Sequence, residues 1–130
     1  MATSWALLGN IERNRGNWDA AEKLYRQSLE LRTELGDPYG IAGAKCDFGE
    51  LELDRNNLDL AESYFNEALQ GFTQLKAPKE IADCEFGLAR LWQKRGDPAR
   101  AKSHCDRARD LYQQLGAIKD LERIAAECSH

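Results

Sequence analysis

Apolar side chains recur along most of the chain at steps of three and four residues, which is the spacing of an amphipathic helix. The stretch that begins at Ile41 shows this pattern with Ala44, Phe48 and Leu51. Stripes of this kind follow one another with short polar breaks between them, and they predict seven helices. We place these helices at about 3–15, 18–35, 38–55, 58–75, 78–95, 98–115 and 118–129.

Residue types also repeat at intervals of forty positions. A turn residue, a small residue and a larger residue each recur three times: Gly16, Asn56 and Gly96; Ala21, Ala61 and Ala101; Tyr25, Phe65 and Cys105. A fixed period of this length is typical of a solenoid, in which each unit packs on its neighbours. We therefore predict one domain over 1–130, with units at about 1–37, 38–77 and 78–117. The helix over 118–129 either caps the stack or opens a further unit of a longer array.

Polar residues at the helix boundaries support this division. Asn17, Asn57 and Asp97 each precede the second helix of a unit, and all three residue types are good helix N-caps. Gly36 and Gly116 follow the second helix, where a left-handed residue often ends a helix. The boundaries therefore fall where local backbone chemistry favours them.

These repeating residues resemble a known family. The first unit carries Leu8-Gly9, Gly16-Asn17-Trp18, Ala21, Tyr25 and Ser28-Leu29; the second carries Phe48-Gly49, Asn56-Asn57-Leu58, Ala61, Phe65 and Ala68-Leu69. This pattern is similar to the tetratricopeptide repeat, and a weaker third copy runs from Leu88 to Ala108. The usual repeat has about 34 residues, whereas the forty-residue form resembles kinesin light chain, Leu-Gly-Asn-repeat adaptors and bacterial signalling regulators.

The resemblance implies an all-α fold, a right-handed α-solenoid of antiparallel helix pairs. Gly9, Gly49 and Ala89 would then lie where the two helices of a unit cross, because a bulkier residue would push the helices apart. Tyr25 and Phe65 would fill the space between neighbouring units.

Composition and charge narrow the function classes. The net charge of −4 and the isoelectric point of about 5.2 argue against a nucleic-acid binder. No apolar run approaches the length of a membrane span, and no signal peptide is visible at the N-terminus. The four cysteines, Cys46, Cys84, Cys105 and Cys128, match no zinc spacing. We expect free thiols and a cytoplasmic location, with Cys46 as the accessible thiol.

Motifs for catalysis or metal binding are not apparent. His104 and Cys105 are sequence neighbours and would point about 100° apart on a helix, and His130 and Cys128 lie near the chain end. The sequence has no glycine-rich phosphate loop and no nucleophile motif. We therefore expect neither enzymatic activity nor a cofactor.

In the tetratricopeptide repeat family, the first helices of successive units line a concave groove. The resemblance thus places the candidate partner-binding residues on these helices: Asn10, Asp47, Glu50, Asp54, Asp83, Phe86, Arg90 and Lys94. Four carboxylates would make the middle of the groove acidic and favour a basic ligand segment, although a solvated face without a partner is the alternative. Phe86 is either an anchor for a partner side chain or part of the core.

Two details refine the expected ligand. Asn10 matches the asparagine of the Leu-Gly-Asn adaptors, where the resemblance implies that the amide holds a ligand backbone. The family's clamp for a C-terminal carboxylate needs Lys, Arg and Asn in the groove. Ala6, Asp47, Asp83 and Gly87 stand at those places, so we predict no binding of chaperone tails.

The leading hypothesis is a non-catalytic scaffold for protein–protein interaction that binds a peptide or partner helix in its groove. One alternative is a self-associating structural module, because Trp5, Leu8 and Ile11 would leave an apolar end exposed and allow a homodimer. The other alternative is an accessory segment of a larger signalling protein.

Overall fold

The computed structural model describes residues 2–128, with side chains described from residue 4 onward. This part of the chain forms seven helices and no strands: α1 (Ala2–Asn14), α2 (Trp18–Glu34), α3 (Pro38–Asp54), α4 (Leu58–Gln74), α5 (Pro78–Lys94), α6 (Pro98–Leu115) and α7 (Ile118–Cys128). The predicted helices are confirmed, because apolar periodicity and turn residues specify both their type and their ends. Residue 129, the last of the predicted seventh helix, lies outside the described part of the chain.

Every turn between helices contains one residue with a positive φ angle: Gly16, Gly36, Asn56, Lys76, Gly96 and Gly116. The backbone N–H of the following residue closes the preceding helix, as in the 2.8 Å bond from Asn17 to the carbonyl of Glu12. Glycine adopts this conformation freely, whereas a residue with a Cβ is strained in it. Lys76, with a φ of 55°, and Asn56, with a φ of 65°, adopt this conformation although each carries a Cβ.

The predicted N-caps divide into two groups. The Asp97 carboxylate accepts a hydrogen bond of 3.1 Å from the Arg100 backbone N–H, which confirms the prediction there. The side chains of Asn17 and Asn57 do not cap their helices. Each asparagine amide instead donates to a glutamate five residues earlier, Glu12 and Glu52 respectively. The predicted side-chain caps are therefore wrong for these two residues, whose amides are oriented by a charge-assisted hydrogen bond to the glutamate.

The helices pack as antiparallel pairs, α1 with α2, α3 with α4, and α5 with α6, and successive pairs stack on one another. Glycine permits the closest contacts. A Cβ at Gly9 would lie 2.5 Å from the Tyr25 ring, and a Cβ at Gly49 or Gly87 would lie 2.9 or 2.6 Å from the Phe65 ring. The prediction for Gly9 and Gly49 is confirmed, because the aromatic side chain of the second helix occupies the space that a methyl group would need.

Aromatic and aliphatic side chains fill the interfaces between pairs. Tyr25 is buried against Phe48 and Leu51, and its ring meets Phe48 edge to face at 5.8 Å. Forty residues later, Phe65 packs in the same way against Leu88 and Leu91. The core is therefore a series of similar layers, and each layer joins the second helix of one pair to the first helix of the next.

A disulfide joins α6 to α7. Cys105 and Cys128 are bonded, and their Cα atoms lie 6.4 Å apart. The prediction of free thiols is wrong for these two residues, because α7 packs on α6 and brings together cysteines that are 23 positions apart. Cys46 and Cys84 are free, and Cys46 is half-buried. A disulfide is unusual in a reducing compartment, so the cysteines no longer support the predicted cytoplasmic location.

None of the helices between residues 2 and 128 is both long enough and apolar enough to cross a membrane.

Candidate interaction groove

The first helices of the three pairs, α1, α3 and α5, lie side by side and form one wall of a groove of about 610 Å³, with α7 at its far end. Seven of the eight predicted residues line this groove: Asn10, Asp47, Glu50, Asp54, Asp83, Phe86 and Arg90. Lys94 does not line it, because its ammonium group donates a 2.9 Å hydrogen bond to the carbonyl of Leu53 and is held against α3.

The groove carries charges of both signs. Six carboxylates line it together with four cationic side chains: Asp47, Glu50, Asp54, Asp83, Asp120 and Glu127, with Arg13, Lys79, Arg90 and Arg123. The expected acidic centre is therefore corrected to a mixed surface with an excess of two carboxylates. The Glu50 carboxylate lies between two arginines, 3.5 Å from Arg13 and 2.9 Å from Arg90.

Five charged residues of the groove were not among the predicted site residues, namely Arg13, Lys79, Asp120, Arg123 and Glu127. Of these, Arg13 contacts two of the predicted carboxylates. Its guanidinium group lies 3.5 Å from Glu50 and 3.6 Å from Asp54, so it joins α1 to α3. Burial acts to lower the pKa of Arg13, but Glu50, Tyr25 and Asp54 together outweigh this effect and raise the pKa. The repeat pattern concealed Arg13 because its equivalent forty residues later is Leu53, which is a buried core residue.

Asp47 differs from the other groove carboxylates. Among the described residues it takes part in no hydrogen bond and no ion pair, although Arg13 and Arg32 are close enough to act on it through space. Desolvation at this half-buried position raises the pKa of Asp47 to about 7, while the two arginines oppose the rise. Asp47 is therefore a carboxylate without a direct hydrogen-bond or ion-pair partner in the described part of the chain, and the two arginines offset its desolvation only in part.

Two tyrosines reach the groove from the second helices. The Tyr25 hydroxyl donates to Oδ1 of Asn10, and the Tyr112 hydroxyl donates to Oδ1 of Asp83. Burial raises the pKa of both tyrosines, so each hydroxyl keeps its proton and remains a donor. The two bonds hold the Asn10 and Asp83 side chains in position. Each bond also occupies an oxygen that would otherwise be free to accept a hydrogen bond from a ligand.

Phe86 belongs to the core. Only 4% of its surface is exposed, and it packs with Tyr112 and Ile124. The guanidinium group of Arg123 covers the ring at 4.7 Å from its centre. Of the two interpretations that the sequence left open, the exposed anchor is wrong, because α7 packs over the ring and supplies Ile124 and Arg123.

A larger cavity, of about 690 Å³, lies beside the disulfide and along α6 from Pro98 to Arg109. It is lined mainly by small or apolar groups, including Ala101, Pro98 and Cys128, and it contains none of the predicted site residues. The equivalent positions of the first two pairs carry Tyr25 and Phe65, which are larger than Cys105. We regard the charged groove as the better candidate for binding a protein segment, because it contains most of the predicted residues and charges of both signs.

Over the described range, no group of three or more His, Cys, Asp or Glu side chains is arranged to hold a metal ion. The Nδ1 atom of His104 lies 3.3 Å from the buried carboxylate of Glu85, which gives it a structural contact within the chain. His130, the other histidine considered above, lies outside the described residues.

Comparison with known proteins places this geometry in context. The sequence profile described as tetratricopeptide repeat matches residues 1–74. The crystal structure of BtubC (BKLC) from P. vanneervenii superposes with a TM-score of 0.72 at 19% sequence identity. The alignment covers 98% of this chain and 61% of BtubC, so this chain spans less than two thirds of that protein. At this identity the similarity shows the fold alone, and no curated protein matches the sequence.

Proposed function

The chain belongs to the tetratricopeptide repeat family, and we propose that it binds a basic peptide or helix of a partner protein in the groove lined by α1, α3 and α5. Tetratricopeptide repeats are generally scaffolds for protein–protein interaction, and they are typically non-catalytic. The proposal specifies the binding surface and the charge of the partner.

Asp47 is the single observation that carries this proposal. A half-buried carboxylate whose pKa is raised by desolvation is costly to keep in a fold, and functional sites concentrate such groups. A lysine or arginine of a partner would supply the direct ion pair that neither Arg13 nor Arg32 makes with Asp47. Binding would then replace a partly compensated charge with an ion pair, which favours a basic partner over a neutral one.

The surrounding charges support the choice of partner. The excess of two carboxylates in the groove favours a cationic segment, and this preference is strongest above pH ~7, where Asp47 is also ionised. Arg13 and Arg90 hold Glu50 between them, so Glu50 is a shared acceptor and Asp47 is the more available one. A partner with alternating basic and acidic residues would match this arrangement better than a uniformly basic one.

A panel of random peptides displayed on phage, selected against the full chain, tests the proposal without a known ligand. We expect selected peptides to be enriched in lysine and arginine, and we expect Asp47→Lys to weaken their binding by about tenfold or more. Glu30→Lys is the matched control, because Glu30 is exposed on α2 and makes the same change of charge away from the groove. Equal loss of binding in both variants would contradict a specific role for the groove.

The two alternative hypotheses remain predictions. The first is a homodimer through the ends of the solenoid, and the exposure of Leu8 and Ile11 on α1 is consistent with it. Light scattering over a range of protein concentrations tests it, because a dimer would double the apparent mass. The second, an accessory segment of a larger signalling protein, awaits the gene context. The predicted cytoplasmic location also remains a prediction, and cell fractionation tests it.

A further inference from the structure

One face of α1 exposes apolar and cationic side chains whose repeat equivalents are covered. Leu8 is 50% exposed, Ile11 is 45% exposed, and the Arg15 side chain is 69% exposed. Leu8 and Ile11 lie three positions apart on one side of α1, and Arg15 follows in the turn directly after the helix ends. We name the surface formed by Leu8, Ile11 and Arg15 the α1 end face.

The next pair shows how the fold treats the same surface. Forty residues later, Phe48 and Leu51 are buried against Ala21 and Tyr25 of α2. The equivalent of Arg15 is Arg55, and only 18% of its side chain is exposed. The covering helix therefore contributes a small residue and an aromatic residue to this interface.

The covering helix also supplies the charges that Arg55 requires. Its guanidinium group lies 2.9 Å from Asp19 and 2.7 Å from Glu22, both on α2. Asp19, Ala21, Glu22 and Tyr25 follow one another in the pattern Asp-x-Ala-Glu-x-x-Tyr. Four residues of one helix thus recognise the apolar and cationic residues of the next.

The third pair repeats the arrangement. Leu88 and Leu91 are buried against Ala61 and Phe65 of α4. Arg95, the equivalent of Arg15 and Arg55, forms ion pairs with two acidic residues of α4, Asp59 and Glu62. The pattern on α4 is Asp-x-Ala-Glu-x-x-Phe. Two independent interfaces in one chain therefore use the same recognition pattern.

The α1 end face already has the local arrangement that receives such a helix. Arg15 lies 3.7 Å from Glu12, and the Asn17 amide donates to Glu12 at 2.8 Å. The equivalent residues at the end of α3 make the same two contacts. Arg55 lies 3.1 Å from Glu52, and the Asn57 amide donates to Glu52 at 2.7 Å. The glutamate in each case orients the arginine on its own helix, and the covering helix adds two further carboxylates to Arg55.

We propose that the α1 end face is a docking surface for a helix of a partner protein that carries the pattern Asp-x-Ala-Glu-x-x-Tyr or Asp-x-Ala-Glu-x-x-Phe. Its alanine and aromatic residue would cover Leu8 and Ile11, and its two carboxylates would pair with Arg15. This surface is separate from the groove, so the inference does not depend on the function proposed for Asp47.

The chain's own helices favour a different protein as the partner over a second copy. The two helices that carry the pattern, α2 and α4, are already packed on α3 and α5. The equivalent helix α6 has Ala99 and Lys102 where α2 has Asp19 and Glu22. Lys102 would face Arg15 if copies stacked end to end, and like charges at an interface oppose association.

A peptide with the sequence of residues 57–75 is a suitable probe, because it contains the pattern of α4 in full. A hydrocarbon staple between positions 66 and 70, which are exposed in the fold, would hold the isolated peptide in a helix. Binding of the labelled peptide to the full chain is measured by fluorescence anisotropy. We expect saturable binding that Ile11→Asp abolishes.

Charge exchange tests the register of the docked helix. We expect Arg15→Glu to weaken binding about tenfold, because the change removes two ion pairs and adds repulsion. A peptide that carries Asp59→Arg and Glu62→Arg should bind the Arg15→Glu variant better than it binds the wild-type chain. Lys23→Glu is the matched control, since Lys23 is exposed on α2 and its replacement should leave binding unchanged.

Three results would overturn the proposal. The first is that the stapled peptide does not bind a chain that circular dichroism shows to be folded. The second is binding that neither Ile11→Asp nor Arg15→Glu weakens, and the third is a homodimer that Ile11→Asp dissociates. The Asp47→Lys variant should bind the peptide as the wild type does, so failure of the groove proposal and failure of this one are distinguishable.

Discussion

Replacing Asp47 with asparagine should stabilise the folded protein, and the gain should increase with pH. The folded-state pKa of Asp47 is about 7, whereas an aspartate in an unfolded chain titrates near pH ~3.9. Between these values the folded protein retains a proton that the unfolded chain has lost. Stability therefore falls as the pH rises through this window, and the full cost of the charged form is present above pH ~7.

The magnitude follows from the width of that window. Each pH unit corresponds to about 1.4 kcal/mol, which gives an upper bound of ~4 kcal/mol at pH ~8. Asp47 is half-buried, so solvent screening reduces this figure, and we expect Asp47→Asn to raise the free energy of unfolding by roughly 2 kcal/mol. At pH ~5 only about one pH unit of the window has been crossed, so the gain should be below ~1 kcal/mol.

Urea denaturation of the wild type and the variant at both pH values measures this difference. Asp54→Asn is the matched control, because Asp54 lines the same groove but lies 3.6 Å from Arg13. Removal of that ion pair should leave stability unchanged or lower it slightly. A gain for Asp47→Asn that does not change with pH, or a loss of stability at pH ~8, would refute the assignment of a desolvated carboxylate without a direct ion pair.

Three further changes test the packing and the backbone. Phe86→Ala should lower the free energy of unfolding by about 3–5 kcal/mol in urea denaturation, and a loss below ~1 kcal/mol would contradict its place in the core. Lys76→Gly should raise stability by about 0.5–1 kcal/mol, because glycine relieves the strain of a positive φ; a loss in the same assay would argue against it. Reduction of the Cys105–Cys128 disulfide should lower stability by about 3 kcal/mol and increase hydrogen exchange in α7. Unchanged exchange there would show that packing alone holds α7.

The position of the candidate site could be predicted from the sequence, but its balance of positive and negative charges could not. Seven of its eight predicted residues line the groove, because the repeat period locates the inner side of each first helix. Of the four cations that line the groove, only Arg90 was predicted, and Arg13 was missed because the equivalent position of the next unit holds the core residue Leu53. A period that identifies equivalent positions cannot show when a charged residue replaces an apolar one and turns toward a neighbouring carboxylate.

The position of Phe86 could not be decided from the sequence either. Its spacing on α5 allows either the groove or the core, and α7 decides between them by placing Ile124 against the ring and Arg123 over it. The Cys105–Cys128 bond has a similar origin, because it requires α7 to lie on α6. Both features depend on how one helix of the solenoid lies on another.

The amino-acid pattern alone was sufficient for the helices, their turns and the packing layers, because these depend on interactions between residues a few positions apart and on a strict repeat. Stacking of the pairs settled which charges meet, as for Arg13 and Glu50, and which residues α7 covers. Long charged side chains can reach several partners, so the offset between neighbouring helices selects among them. That offset is a property of the whole stack, and no local spacing of residues contains it.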